Sequence, residues 1–250
     1  ADTTITFGLG REPLAGELVI TEIMADPDPA VDLPNVEYVE LYNATDDLIA
    51  LDSVWFEDAS SARLIANYVL TANSYIILTA ASSASLFESY GEVIGLEDWS
   101  ALTNSGETLS LTTNELIDQV TYDSDWFTDS EKKSGGYSLE MINPTGSCAD
   151  VFNWDGTIDV SGGTPGKQNS IFRVGEDGES PVIEEFVINS TSSFSLQFNE
   201  AMDSSSLVSM TLAIDGRSIA TRTVSGEYNN HLTFDLSAPL PLGDFYEVSL

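Results

Sequence analysis

The chain has 250 residues, with 41 Asp and Glu against 8 Lys and Arg, a formal net charge of −33 and a pI near 4.1. A surface this negative repels phosphate backbones and anionic headgroups, which argues against nucleic acid and anionic membranes as partners. The chain is also 42% hydrophobic and 10% aromatic, too apolar for an acidic disordered tail, and long enough for one or two domains with cores.

Taken in order, the chain reads as short β-type runs separated by Gly, Pro, Asn, Asp and Ser. Strands are predicted over Glu17–Met24, Glu37–Asn43, Asn73–Thr79, Glu107–Thr113, Glu115–Tyr122 and Gly136–Ile142. Asn114 alone separates the fourth from the fifth, which marks a tight hairpin. Helical turns are expected only over Ser82–Tyr90, with Ser82 or Ser83 as cap, and near Glu97–Leu102. The Gly-rich stretch Gly162–Gly166 has no helix or Gly-Lys-Ser/Thr after it, and Pro165 breaks any phosphate-loop start. It reads as a turn returning the chain to the last strand of a first sandwich.

Composition shifts at Val174–Pro181, an acidic, Gly-containing stretch ending in Pro, as domain boundaries do. Strands then resume in PVIEEFVI, Ser193–Glu200, Ser209–Asp215, Ser218–Val224, His231–Leu236 and Phe245–Leu250, with a helical turn at Ala201–Leu207 and a hairpin signal at Asp215–Gly216. The fold class is all-β, two β-sandwiches in tandem. The predicted organisation is an extension or linker over 1–15, a sandwich over 16–172, a linker over 173–180 and a smaller sandwich over 181–250.

Cys148 and His231 are single, so neither an intrachain disulfide nor a Cys/His zinc site can be built. His231 opens an amphipathic strand and Cys148 reads as an idle loop thiol. No apolar run is long enough to span a bilayer. Ala1 is not followed by signal-peptide features, and the chain reads as a piece of a larger protein.

With His and Cys set aside, carboxylates are the candidates for chemistry. Glu22, Asp26, Asp28, Asp32, Glu37 and Glu40 populate two strands and the Pro-stiffened loop between them. Oxygen ligands converging from a rigid loop and strand ends suit a hard cation such as Ca²⁺. The plainer alternative is that they fan out into solvent. Strand alternation opposes Glu37 to Glu40, and Glu37, on the apolar side, wants a backbone N–H, a metal or an arginine such as Arg63. Trp126, among Asp123, Asp125 and Asp129, is read two ways: a platform for stacking carbohydrate, or a plug closing the sandwich end, the second being preferred.

Several of these segments carry a resemblance. ELVITEIMADPDP, EYVELYNAT, SGETLSL, GGYSLEMINP, Asn153–Trp154 and GGTPGKQNS, in this order over roughly Gly16–Ser170, resemble a lamin-tail domain of the bacterial secreted type. The resemblance implies an immunoglobulin-like sandwich, accessory or structural rather than catalytic, in a large exported protein. FSLQFNEAMD (Phe194–Asp203) and PLPLGDFYEVSL are similar to a bacterial Ig-like domain of the S-layer type, in which a further strand follows; with the chain stopping at Leu250, the second sandwich is expected to lack it.

The expectation is therefore a non-enzymatic extracellular or cell-surface spacer, scaffold or adhesion pair, stabilised by calcium if the acidic cluster binds it. Its partners would be other domains of the same polypeptide, cell-surface proteins or polysaccharide. The alternative is a module that captures polysaccharide or protein for an attached hydrolase, with Trp126 as its contact.

Overall fold

The computed structural model describes residues 8–65, 67–145, 153–173, 181–199, 202, 207, 213–214, 217, 219–225, 230–246 and 248–249. The chain forms two compact units, Ala1–Val174 and Gly175–Leu250, and the described regular structure is β apart from short 3-10 turns and the α-helical residues Asn153 and Leu207. Cys148, the linker at 174–180, most of Ala201–Leu207 and the Asp215–Gly216 hairpin lie outside the described residues.

The first unit contains β1 (Leu18–Met24), β2 (Tyr38–Asn43), β3 (Ile49–Ala50), β4 (Trp55–Glu57), β5 (Ala62–Leu64), β6 (Val69–Leu70) and β7 (Tyr75–Ala80). After a 3-10 turn over Ala81–Leu86 come β8 (Val93–Leu96), β9 (Gly106–Thr112), β10 (Leu116–Asp123), β11 (Leu139–Met141) and β12 (Trp154–Gly156). A six-stranded sheet runs β12-β11-β1-β2-β7-β8 and a four-stranded sheet runs β10-β9-β4-β5, with β3 paired to β6. The core lies between the two large sheets, built by Ile20, Val39, Leu41, Leu78, Leu139, Phe56, Leu111 and Val120 among others.

Within the expected extension or linker, Arg11 exchanges backbone hydrogen bonds with Leu48 and Ala50 and pairs with Glu17 and Asp47, which ties it to the sandwich. The helical turn is also shorter than expected, and the residue before it, Ala80, offers no side-chain cap.

The six-stranded sheet is buried on both faces, which explains why every residue of β1 is buried. Beneath its second face, Met24, Leu33, Tyr38, Ile77 and Phe87 form a satellite cluster. A strand covered on one face alternates; one covered on both reads as a continuous apolar run. LVITEIM is such a run with a carboxylate in it.

The second unit contains β13 (Ile183–Ile188), β14 (Ser193–Phe198), β15 (Ala213–Ile214), β16 (Ile219–Ser225), β17 (His231–Leu236) and β18 (Val248–Ser249). One sheet runs β13-β14-β17-β16 and β15 pairs with β18. Phe194, Leu196, Phe198, Leu232, Phe234 and Leu236 alternate inward to make its core. His231 begins β17, its Nδ1 bonded to the Ser225 hydroxyl at 3.0 Å.

Candidate functional site

Among the described residues, the second face of the six-stranded sheet holds the densest cluster of buried carboxylates. In the strand register Glu22 of β1 stands opposite Glu40 of β2 on one side and Glu140 of β11 on the other. Directly opposed residues in antiparallel strands project to the same face, so the three carboxylates form one row across three strands. All three are 0% exposed. A β-bulge between Ile20 and Glu22 makes this possible. Ile20 and Ile23 both pack into the main core, and the extra residue lets Thr21 and Glu22 turn to the second face together.

Three charges in an apolar sheet would be untenable without donors. A strap formed by Thr157–Ile171, including the GGTPGKQNS segment, supplies most of them. Glu22 Oε1 accepts from Tyr38 Oη at 2.6 Å, Ser138 Oγ at 2.6 Å and the Thr164 N–H at 2.7 Å. Glu40 accepts from Thr21 Oγ1 at 2.9 Å and the Gly166 N–H at 2.6 Å. Glu140 accepts from Thr164 Oγ1 at 2.8 Å, Ser170 Oγ at 2.7 Å and the Ile171 N–H at 3.2 Å. Asn169 Nδ2 completes the clamp by donating to the Thr21 and Met141 carbonyls at 2.7 and 2.8 Å. The segment expected to be a turn into a last strand is thus an irregular cover: β12 precedes it, and its backbone is committed to side chains instead of a ladder.

Two glycines permit the close approach. A Cβ on Gly163 would lie 2.5 Å from Tyr38 Oη and 2.6 Å from Glu22 Oε1. Gly166 has φ +80°, and a Cβ there would collide with the Tyr90 carbonyl.

Burial dominates the electrostatics. It pushes the Glu22 carboxyl up to about 7, helped by the Glu140 charge. Burial, and then the Glu22 charge, pushes Glu40 well above the usual carboxylate range. The Tyr38 phenol is raised by burial and by Glu22 beside it. The row therefore keeps at least one proton near neutral pH, since adjacent buried carboxylates cannot all ionise without a counter-ion.

The remaining expected ligands do not join the row. Asp28 and Asp32 are exposed on the β1–β2 loop and Asp26 is half-buried; Asp28 accepts from Asn35 Nδ2 at 3.3 Å. Glu37 accepts from Trp99 Nε1 at 2.8 Å and the Leu102 N–H at 3.1 Å, and its own burial raises its carboxyl. Arg63 is not its partner: it pairs with Asp58 at 2.9 Å. Glu22, Asp26, Asp28, Asp32, Glu37 and Glu40 thus do not converge on one ion. The physical reason is strand alternation together with donors already in place. Among the described residues no group of three or more His, Cys, Asp or Glu is arranged to hold a metal ion.

Trp126 is 8% exposed and lies against Trp154 with ring centroids 6.2 Å apart, so it plugs the core and offers no stacking platform. The acids around it build turns: Asp123 Oδ1 accepts from the Asp125 N–H at 2.7 Å, and Asp125 pairs with Lys133 at 2.8 Å. Glu140 escaped the sequence reading although a signal existed. Glu22, Glu40 and Glu140 are each a lone carboxylate inside an apolar strand, and Ser138 alternates onto the face of Glu140.

The two facing sheets define an immunoglobulin-like β-sandwich, a class built for packing rather than for a catalytic cleft. Residues 12–124 match the family model of the Lamin Tail Domain, whose Ig-like members are generally non-catalytic. That match covers β1 to β10; Glu140, β12 and the strap lie beyond it. No curated protein matches the chain.

Replacing Glu22 by Ala strands three buried donors, each costing about 1–3 kcal/mol when unsatisfied. Glu22→Ala should lower the melting temperature of the first unit sharply, whereas Glu22→Gln, which keeps an acceptor oxygen, should lower it far less. All four tryptophans (Trp55, Trp99, Trp126 and Trp154) lie in this unit, so tryptophan fluorescence melting isolates it.

The pH dependence has a definite sign. Glu22 rises from 4.5 to about 7 on folding, so between these values the folded unit keeps a proton that the unfolded chain has released. Its contribution to stability is complete below about pH 4.5 and is lost as pH rises toward 7, on the order of 3 kcal/mol. Melting temperature should therefore fall from pH 5 to pH 8, and Glu40→Gln should flatten that slope. An unchanged slope in the variant would place the titration outside the row.

Proposed function

We propose that the chain is a non-catalytic structural segment of an exported bacterial protein, in which the lamin-tail unit and the following β-unit act as an extracellular spacer or scaffold. The observation that carries this reading is the closed state of the carboxylate row: five of its six oxygens accept from donors of the fold itself at 3.2 Å or less, and the sixth, Glu22 Oε2, lies 3.5 Å from the Thr164 hydroxyl. Carboxylates engaged in this way hold a sandwich shut and are not free to transfer protons to a substrate. The resemblance of GGTPGKQNS to the exported bacterial version supports the extracellular setting. The net charge of −33 keeps such a segment solvated and separate from its neighbours. The similarity of Phe194–Asp203 to S-layer-type Ig-like domains supports a second module of the same kind.

Cell fractionation with an antibody against this chain tests the reading. The chain should appear in the medium or on the surface, where added protease digests it in intact cells; a pool confined to the cytoplasm would overturn the proposal.

Calcium enters this reading only through the loop acids Asp26, Asp28 and Asp32, because Glu22 and Glu40 are occupied by protein donors. Melting curves in millimolar CaCl₂ and in EDTA are expected to coincide. A higher melting temperature in calcium that disappears in Asp28→Asn would instead assign the ion to the loop.

A further inference from the structure

The outward face of the four-stranded sheet carries a second feature, independent of the carboxylate row. Leu116 of β10 stands opposite Thr112 of β9, Thr112 opposite Trp55 of β4, and Trp55 opposite Leu64 of β5. Opposed residues share a face, so these four side chains cross the whole sheet in a single row. Their chain neighbours Ile117, Leu111, Phe56 and Ile65 pack into the core, which puts the row on the outer side. At the usual strand spacing it is about 14 Å long. Leu116, Trp55 and Leu64 are 51%, 41% and 48% exposed. Trp55 differs from the other tryptophans: Trp126 and Trp154 are buried, and Trp99 packs against the core with its indole N–H given to Glu37.

Polar groups border this apolar strip one register step away. Glu57 stands opposite Ser110, and Ser110 opposite Gln119. Thr112 Oγ1 donates to Glu57 Oε1 at 2.6 Å and Gln119 Nε2 donates to Ser110 Oγ at 3.0 Å. An indole and two leucines on the outer face of the sheet are thus flanked by an amide, a hydroxyl and a carboxylate.

The charges and the shape choose among occupants. A second copy would bring two surfaces of −33 together, against strong repulsion, over a strip much smaller than the ~800 Å² per partner of a stable interface. An anionic polymer would meet Glu57, while the nearby Arg63 is turned away and paired with Asp58. A proline-rich peptide needs an aromatic-lined groove, whereas this row presents one ring. A neutral sugar chain suits it: the C–H face of a pyranose stacks on the indole, and rim hydroxyls meet groups that both donate and accept.

We infer that the Trp55 face is a binding platform for a neutral polysaccharide. Leu64 and Leu116 extend the apolar contact on either side of the indole, and Glu57 and Gln119 orient the sugar hydroxyls.

Affinity electrophoresis of the whole chain through gels containing barley β-glucan, xyloglucan or galactomannan tests this, with carboxymethylcellulose as the anionic control. Retardation is expected in at least one neutral gel, weakened tenfold or more in Trp55→Ala and largely kept in Trp55→Tyr. Unchanged fluorescence melting of the remaining tryptophans, with Trp55→Tyr beside it, separates lost binding from lost folding. Three results overturn the inference: no retardation in any neutral gel, equal retardation of Trp55→Ala, or retardation in carboxymethylcellulose alone. A dimer in sedimentation velocity that Trp55→Ala abolishes would also overturn it, by assigning the face to a second copy.

Discussion

The first unit depends on how a β-sheet can bury three carboxylates in a row. Glu22, Glu40 and Glu140 occupy adjacent strands at one level, where like charges oppose one another and water is excluded. The arrangement persists because β1, β2 and the approach to β11 supply hydroxyls and the strap brings three backbone N–H groups, from Thr164, Gly166 and Ile171. The strap in turn has little ladder bonding of its own, and its amides would be unsatisfied without the carboxylates. Each half makes the other affordable, so the row and the strap fold as one cooperative element.

This interdependence gives the Gly-rich segment a different meaning from the one its composition suggests. Glycine at Gly163 is required by contact with Tyr38 and Glu22, and at Gly166 by a left-handed backbone beside Tyr90. Neither is there for a phosphate or for a tight hairpin. The strap also reaches strands distant in sequence: Asn169 bridges the Thr21 and Met141 carbonyls, and the Asp32 N–H donates to the Ser161 carbonyl. The sandwich is thereby closed by residues beyond the segment that matches the lamin-tail family.

The two sheets then divide their labour. The six-stranded sheet is covered on both faces and spends its polar side chains internally. The four-stranded sheet has one face in the core and one in water, and on the wet face a tryptophan is left partly exposed. The buried carboxylate row lies on the first sheet, and the platform proposed at Trp55 lies on the second. The strong negative charge acts on both: it keeps the outer surface solvated and sets it against anionic ligands.

Much of this was legible in the sequence. β1, β2, β7, β9 and β10 follow from apolar runs bounded by turn residues, because strand propensity and alternation act locally. The exclusion of an intrachain disulfide and of a Cys/His zinc site follows from single Cys148 and single His231. β3, β5 and β6 were not legible, being two or three residues long, nor was β8, which pairs parallel to β7 through a 3-10 turn. Glu22 and Glu40 stood out as carboxylates, but Glu37, Asp26, Asp28 and Asp32 stood out equally. Trp126 stood out among its acidic neighbours and Trp55 did not, yet packing buried Trp126 and left Trp55 41% exposed. What the residues alone determined was the class of fold and the acidity of its surface. Only tertiary structure decided which acids are buried together, because the bulge at Thr21 and the return of a distant strap are long-range events that no local pattern records.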